Sequence, residues 1–327
     1  MTILLTGTAG FIGFHVARTL LQRGEQVVGV DNLSEYYDVR LKKARLAILR
    51  EFAGFSFAKL DVADRTGVLS LIERRKDLRS IIHLAAQAGV RYSLENPYAY
   101  VDANVTGTLV MLEAARRIDG LTAITYASSS SVYGANRKQP FSVEDRVDEP
   151  VSLYAATKRS CELMAHTFSH LYGLPATGLR YFTVYGPWGR PDMAAYLFTR
   201  AILAGEPIKV FNEGRMARDF TYIDDIVAGT IAAHDRPPPV AGGVPHRLYN
   251  LGNHRPEKLL DFIAVLEREL GQAARKELLP LQPGDVPKSF ADIEDSRRDL
   301  GFEPRTTIDI GLARFVEWYK QYHGLTK

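Results

Sequence analysis

The stretch Gly7-Thr8-Ala9-Gly10-Phe11-Ile12-Gly13 decides the fold, because it joins the first apolar run of the chain to a segment with helical periodicity. Glycines at this spacing let the backbone turn tightly between a strand and a helix and approach a diphosphate closely. The N-terminus of the following helix then offers unpaired N–H groups and a favourable dipole to that anion. The spacing is a variant of the dinucleotide-binding fingerprint, and its place after a strand predicts that this loop binds a dinucleotide.

Short apolar runs alternate with helical patterns over residues 1–180. The predicted strands are 2–5, 26–30, 55–60, 80–84, 123–127 and 176–180, and the predicted helices begin near Phe11 or cover 98–117 and 154–172. Strands that are apolar on both faces and separated by helices form parallel sheets covered on both sides. We therefore expect an α/β fold with a Rossmann-type doubly wound parallel sheet in 1–180. We expect 181–327 to form a smaller substrate-binding lobe, with a soft boundary and segments exchanged with the sheet.

Composition excludes several classes of protein. The chain has 327 residues, 46% of them hydrophobic and 24% charged, which is typical of a globular protein with a sizeable core. Its 41 basic and 38 acidic residues provide no broad basic field for nucleic acid. Cys161 has no partner for an internal disulfide, no run approaches the ~20 apolar residues of a membrane span, and no leader precedes the glycine loop. We expect a cytoplasmic protein with no membrane or nucleic-acid partner, and we assign no metal ligands.

Asp31 ends the second predicted strand, about where an acid in such folds hydrogen-bonds the adenosine ribose. A carboxylate there would repel a 2′-phosphate, so we expect the cofactor to be NAD rather than NADP. Asp61 and Val62 follow the third strand and are candidates to flank the adenine. A lone acid at that place is equally typical of a helix cap, so both interpretations of Asp61 stay open.

A serine run and a tyrosine–lysine pair carry the predicted chemistry. Ser128-Ser129-Ser130-Ser131 follows the fifth strand and therefore lies at the carboxyl edge of the sheet, where ligands bind. Tyr154 and Lys158 are four residues apart on a predicted helix and share one face. An ammonium beside a phenol favours the phenolate, which can accept a hydroxyl proton while a hydride leaves the same carbon. Each piece alone has a structural explanation, but their order after a glycine loop indicates an oxidoreductive site.

These motifs resemble the extended short-chain dehydrogenases/reductases, the family of nucleotide-sugar epimerases and dehydratases. The resemblance covers nearly the whole chain and includes His83-Leu84-Ala85-Ala86 and Arg218-Asp219-Phe220. It implies that Ser129 or Ser131 holds the sugar, that Tyr154 is the acid/base and that Lys158 binds the nicotinamide ribose. It also implies an NAD site made of Gly7, Gly10, Phe11, Ile12, Gly13, Asp31, Asn32, Asp61, Val62, Leu84, Ala85, Ala86, Tyr154 and Lys158.

Within this family, the segment from Arg180 to Ala194 is similar to that of the UDP-glucuronate 4-epimerases, as is the Gly89-Val90-Arg91-Tyr92-Ser93 segment. Dehydratases carry an Asp-Glu pair where this chain has Ser130 and Ser131, and serine hydroxyls are poor acids for expelling hydroxide. UDP-galactose 4-epimerases usually have asparagine in the place of Thr183. The resemblance therefore implies that the enzyme interconverts UDP-glucuronate and UDP-galacturonate through transient oxidation at C4 with bound NAD.

The same resemblance suggests where the UDP-sugar lies. It places Val210-Phe211-Asn212 near the uracil, Arg218 at the diphosphate and Asp285 near the ribose. Arg218 has the firmer physical basis, because a diphosphate suits a forked cation, whereas Asp285 is equally suited to cap a turn. Gln282 stands where some relatives have arginine, so one phosphate contact is either missing or supplied elsewhere. The predicted substrate contacts are completed by Arg91, Ser129, Ser130, Thr183 and Arg190, and the alternative for Arg190 is a salt bridge to Asp192.

Two other classes of function stay open. One is another NAD-dependent nucleotide-sugar enzyme, such as a UDP-glucose/galactose 4-epimerase, a UDP-glucuronate decarboxylase or a net dehydrogenase, and the last would consume added NAD. The other is a non-catalytic NAD-binding scaffold or sensor, against which the intact Tyr154 and Lys158 argue.

The resemblance also implies a homodimer through a four-helix bundle. Residues on several faces of the two long predicted helices would either form that interface or pack on the sheet: Leu112, Met164, Phe168 and Leu171.

Overall fold

The computed structural model describes residues 1–282 and 286–325. Its strands are β1 (Thr2–Thr6), β2 (Gln26–Asp31), β3 (Phe55–Lys59), β4 (Leu78–His83), β5 (Ala123–Ser129), β6 (Ala176–Tyr181), β7 (Thr183–Tyr185), β8 (Ile208–Phe211), β9 (Ala217–Arg218), β10 (Phe220–Tyr222), β11 (His246–Leu251), β12 (Glu257–Lys258), β13 (Lys276–Leu279) and β14 (Lys288–Ser289). Its helices are α1 (Phe11–Gln22), α2 (Val39–Leu49), α3 (Arg65–Arg74), α4 (Tyr92–Glu95), α5 (Pro97–Tyr100), α6 (Gly107–Ala115), α7 (Leu153–Tyr172), α8 (Ala194–Leu203), α9 (Ile223–Asp235), α10 (Leu259–Leu270), α11 (Glu294–Leu300) and α12 (Ile308–Tyr322).

A parallel sheet with the strand order β3-β2-β1-β4-β5-β6-β11 forms the centre of the described chain. The order reverses between β1 and β4, and the crevice above such a switch point is where open α/β sheets bind ligands. Every residue of β1 and β6 is buried, as expected for strands covered by helices on both faces. The predicted Rossmann-type fold is confirmed, and the six predicted strands match β1 to β6 closely.

The seventh strand of this sheet comes from beyond residue 180. Strand β11 pairs with β6 from His246 opposite Ala176 to Leu251 opposite Tyr181. Helix α9 packs on α1 and on β5 and β6, so it covers the same sheet. The other late elements form a second layer of helices α8, α10 and α12 with small sheets, including β8 paired with β13 and β9 between β12 and β14.

The predicted helix 98–117 is interrupted in the structure. A π-helical segment, Val101–Thr106, separates α5 from α6. Asn104 lies inside it, fully buried, and its side chain bonds both backbone groups of Gln87 and the hydroxyl of Thr157 on α7. Such π segments widen one turn of a helix and recur at functional sites. Here the wider turn directs an amide side chain onto the loop after β4 and onto the helix that carries Tyr154.

No helix in the described part of the chain is both long and apolar enough to cross a bilayer.

Candidate active site

A cleft of about 580 Å³ lies over the carboxyl ends of β1, β2, β4 and β5. All the residues predicted to bind the cofactor line it, as do Ser129 and Arg190. Its walls also include residues to which the sequence analysis gave no site role, among them Tyr36, Lys42, Gln87 and Phe182. A single cleft of the described structure therefore contains both the dinucleotide loop and the proposed catalytic pair.

The glycine loop is shaped by close backbone contacts. Gly7 has a φ of +75°, and a Cβ there would lie 2.7 Å from the Ala85 nitrogen. A Cβ on Gly13 would lie 2.0 Å from the Gly7 oxygen, so only glycine fits either place. Helix α1 begins at Phe11 without a side-chain cap and without an acid in its first turn. Phe11, Ile12 and Gly13 line the cleft, and the first N–H groups of this uncapped helix suit an anion.

Asp31 ties the end of β2 to this loop. Its carboxylate accepts the N–H of Ala9 at 3.0 Å and that of Leu33 at 2.8 Å, and it is buried. Asn32 donates to Asp61 at 2.8 Å, and Asp61 accepts the N–H of Ala63 at 2.8 Å. Asp61 therefore closes a turn rather than capping α3, whose cap is Asp64. It also lines the cleft, so a contact with the adenine stays a prediction.

Helix α7 places Tyr154 and Lys158 in the cleft. The side chain of Ser152 caps the helix by accepting the N–H of Ala155 at 3.1 Å, which puts Tyr154 in the first turn. Lys158 follows one turn later, is buried, and donates its ammonium to the carbonyl of Ala127 at 2.9 Å. That bond fixes the lysine against the end of β5. The shared face predicted from the spacing is therefore present.

Ser128 and Ser129 both line the cleft, but Ser128 already donates its proton to Glu162, which leaves Ser129 as the candidate donor. It ends β5, and its hydroxyl oxygen accepts the N–H of Ser131 at 3.2 Å. The bond leaves the Ser129 proton available for donation. Ser130 and Ser131 start a 3₁₀ turn that ends at Tyr133, and neither lines the cleft.

A buried ion pair below these groups was missed by the sequence analysis. Glu162, one turn after Lys158 on α7, accepts two bonds from Arg180 of β6, at 2.8 and 2.9 Å, and one from Ser128 at 2.7 Å. Burial alone would raise the pKa of Glu162, but the bonds from Arg180 and Ser128 outweigh it and hold the pKa below its usual value. The network joins α7 to β5 and β6. The two partners are 18 residues apart, on a helix and a strand, so no local pattern in the sequence indicates the pair.

His83 is a structural residue, and no chemistry was assigned to it. Its Nδ1 lies 2.7 Å from the Thr6 hydroxyl and its Nε2 lies 3.3 Å from that of Thr108. Burial and the nearby charge of Lys158 lower its pKa to about 3, so it is neutral at physiological pH.

Arg190 lines the cleft and forms the salt bridge that was its structural alternative. Its Nε donates to Asp192 at 3.0 Å and its Nη2 at 2.5 Å. The hydroxyl of Tyr36 donates to the same carboxylate at 3.0 Å. Burial and the Asp192 charge raise the pKa of Tyr36 to about 12, so it stays a donor. The cleft wall therefore holds a guanidinium whose charge is already balanced by one carboxylate.

Of the predicted substrate contacts in the second lobe, Arg190 lines this cleft, whereas Thr183, Val210, Phe211, Asn212 and Arg218 do not. Phe211 lies under the guanidinium of Arg91, whose Cζ is 4.8 Å from the ring centroid, so the two lobes meet there. Asn212 bonds the Arg215 carbonyl at 2.7 Å, and Arg218 donates to the Pro287 carbonyl at 3.2 Å.

Three further predictions concern the same region. Val210 is 0% exposed and lies in the hydrophobic core, and its predicted place near the uracil stays a prediction. Thr183 begins β7, where its N–H donates to the Asp219 carbonyl at 3.1 Å, and its side chain is half-buried. Asp285 lies outside the described residues, so its predicted ribose contact stays a prediction.

Comparisons with known proteins agree with this geometry. Residues 3–252 match the model of the NAD dependent epimerase/dehydratase family. A probable UDP-glucuronate 4-epimerase of Rhizobium meliloti is 49% identical, covering 98% of this chain and 97% of the relative. UDP-glucuronate 4-epimerase 4 of Arabidopsis thaliana is 47% identical, covering 99% of this chain and 76% of the relative.

A solved structure supports the same assignment. The crystal structure of UDP-glucuronic acid 4-epimerase from Bacillus cereus, in complex with UDP-glucuronic acid and NAD, superposes with a TM-score of 0.91. The two proteins are 35% identical, over 98% of this chain and 100% of the other. The family match spans most of the chain and includes the glycine loop, the serine edge and the Tyr154–Lys158 pair, so the chain belongs to the NAD dependent epimerase/dehydratase family.

Proposed function

We propose that the protein is a UDP-glucuronate 4-epimerase, which interconverts UDP-glucuronate and UDP-galacturonate with tightly bound NAD. The observation that carries the proposal is that one cleft contains the glycine loop, Tyr154, Lys158, Ser129 and Arg190. The near-full-length relatives described above, named as epimerases of this substrate, support it.

The residues present fit NAD. The open N–H groups at the start of α1 suit its diphosphate, and the Cβ-free surface of Gly7 and Gly13 permits close approach. The carboxylate of Asp31 disfavours the 2′-phosphate of NADP. When bound, the nicotinamide accepts a hydride from C4 of the sugar and returns it to the same carbon.

The proton at the C4 hydroxyl is handled by this chain's own residues. We assign its removal and return to the Tyr154 oxygen, while Lys158, one helical turn later, is fixed in the same cleft by its bond to the Ala127 carbonyl. Ser129 donates a hydrogen bond to the same hydroxyl, because its oxygen is already held by Ser131. The geometry supports Ser129 rather than Ser131 as the serine that touches the sugar.

The substrate carboxylate must be held in one orientation during the reaction, so that the 4-keto intermediate does not lose CO₂. Oxidation at C4 creates a ketone β to that carboxylate, and CO₂ leaves easily when the bond to the carboxyl carbon stands perpendicular to the carbonyl plane. We propose that Arg190, through its Nη1, and Thr183 hold the carboxylate away from that alignment. Nη1 is the guanidinium nitrogen that makes no bond to Asp192, since Nε and Nη2 both donate to that carboxylate.

We propose further that 1–180 is the NAD-binding domain and 181–327 the nucleotide-sugar lobe, with β11 joining the sheet of the first domain and α9 covering that sheet. We also propose a cytoplasmic homodimer, formed through helices α6 and α7. Of the residues named from the sequence, Leu112 and Phe168 are buried within the monomer, whereas Leu171 is 60% exposed. Leu163, also on α7, is 53% exposed, so this helix presents an apolar surface suited to a second copy.

The test is to incubate the purified protein with UDP-glucuronate, without added NAD, and to follow the sugar by proton NMR. The anomeric signal of UDP-galacturonate should appear and reach equilibrium. A UDP-pentose as the product would indicate a decarboxylase, and steady accumulation of free NADH would indicate a net dehydrogenase. Either outcome would remove the proposal.

A further inference from the structure

Arg45, on α2, is a fully buried cation to which no role has yet been given. It is 0% exposed, and none of the ion pairs formed by the described residues includes it. Its Nη1 donates to the Ala9 carbonyl and the Tyr37 hydroxyl, both at 2.8 Å. Its Nη2 donates to the carbonyls of Trp188 at 2.5 Å and Gly189 at 3.4 Å. Burying a guanidinium without a carboxylate is costly, so its position calls for a reason beyond packing.

The two ends of this guanidinium reach two parts of the cleft. Ala9 lies within the glycine loop, and its own N–H is held by Asp31 at 3.0 Å. Trp188 and Gly189 directly precede Arg190, which faces the cleft from the other lobe. One side chain therefore bonds the backbone that cradles the dinucleotide and the backbone that carries the arginine of the sugar site.

The backbone before Arg190 needs this support. Trp188 has a φ of +61°, a conformation that bulky residues rarely adopt, so the surroundings must hold it. Its ring packs against Phe14 of α1, with 5.5 Å between ring centroids. The Pro187 carbonyl lies 2.9 Å from Nε2 of His15, also on α1. Burial lowers the pKa of His15 to about 3, so this neutral ring donates through Nε2.

We propose that Arg45 is a positioning residue, which fixes Arg190 relative to the bound dinucleotide by tying the Gly186–Arg190 segment to the glycine loop. The proposal rests on the proposed function, because Arg190 is there assigned to the substrate carboxylate. It predicts that one substitution at Arg45 weakens both NAD retention and the preference for a sugar with a carboxylate. A residue that merely supports the fold would weaken the binding of acidic and neutral sugars equally.

The test uses Arg45→Lys, which keeps the charge but replaces the planar fork with a compact ammonium that cannot hold both backbones in the same way. The matched control is Arg40→Lys on the same helix, where the side chain is 87% exposed. Dissociation constants for UDP-glucuronate and UDP-glucose are measured by calorimetry at saturating NAD. All proteins carry Tyr154→Phe for this measurement, so that turnover does not interfere. NAD content after purification is measured in parallel.

Arg45→Lys should weaken UDP-glucuronate binding about tenfold, leave UDP-glucose within about twofold, and lower the NAD content. Arg40→Lys should change none of these quantities. An unchanged ratio of the two dissociation constants in folded Arg45→Lys would overturn the proposal.

A second variant covers the case in which Arg45→Lys does not fold. His15→Phe removes the donor to Pro187 and leaves the bond to the glycine loop. It should raise the dissociation constant for UDP-glucuronate relative to that for UDP-glucose while NAD is retained, and an unchanged ratio of the two constants would again overturn the proposal. Absence of UDP-glucuronate turnover by the unmodified protein would instead defeat the proposed function, and the binding ratio would still decide the role of Arg45.

Discussion

Replacing Arg190 by alanine tests how the cleft distinguishes an acidic sugar from a neutral one. In the structure Arg190 shares its charge with Asp192, and Tyr36 donates to the same carboxylate. Arg190→Ala therefore removes the donor to the substrate and leaves the Asp192 charge beside the cleft. Asp192→Asn does the opposite, because it frees the guanidinium for the substrate.

The size of the effect follows from these contacts. A hydrogen bond to a charged group contributes about 1.5–3 kcal/mol, so loss of the Arg190 bond should lower kcat/KM for UDP-glucuronate about 10- to 150-fold. Repulsion between Asp192 and the substrate carboxylate adds to this loss, so Arg190→Ala with Asp192→Asn should recover part of it. Asp192→Asn alone should lower KM for UDP-glucuronate. Binding of UDP-glucose should change little in all three.

The assay combines initial rates on UDP-glucuronate with calorimetric binding of both sugars at saturating NAD. Product analysis by NMR also detects UDP-pentose, which Arg190→Ala should release as the 4-keto intermediate loses its restraint. Equal losses for UDP-glucuronate and UDP-glucose would refute the reasoning and leave Arg190 as a loop-fixing salt bridge. So would equal binding of the two sugars by the unmodified protein.

Other predictions follow from the same geometry. Tyr154→Phe should lower kcat about 10²–10⁴-fold while NAD content is retained, and near-normal turnover would remove the acid/base assignment. Turnover by the unmodified enzyme should release no stoichiometric NADH, as monitored by absorbance. Glu162→Gln should destabilise the protein by about 3–5 kcal/mol in urea unfolding, since it leaves Arg180 buried and unpaired. Because the fold lowers the pKa of Glu162, its contribution to stability is present above the carboxyl's ordinary value of 4.5 and is lost as the pH falls through the folded value. Leu171→Glu should convert a dimer to a monomer by light scattering, and a monomeric unmodified protein would remove the dimer.

The dinucleotide half of the cleft could be predicted from the sequence because its determinants are local. A glycine loop between a strand and a helix, an acid at a strand end and an i, i+4 pair on a helix each specify their own geometry. The structure places Gly7, Asp31, Tyr154 and Lys158 accordingly around one cleft.

The connections between elements could not be predicted in this way, because they depend on contacts between residues distant in sequence. Arg45 bonds a carbonyl 143 residues away, and its helix α2 buries polar as well as apolar positions. The interruption of the helix around Asn104 likewise depends on bonds to Gln87 and Thr157. Such partners become visible only when the chain is folded.

The most direct test of the account follows a hydrogen label at C4. UDP-glucuronate carrying deuterium at C4 is converted by the purified enzyme in ordinary water without added NAD, and the product is analysed by NMR and mass spectrometry. The account predicts UDP-galacturonate that retains deuterium at C4, because the bound cofactor returns the hydride that it removed. Replacement of the label by solvent hydrogen would show that C4 is inverted by proton exchange and would contradict the central claim.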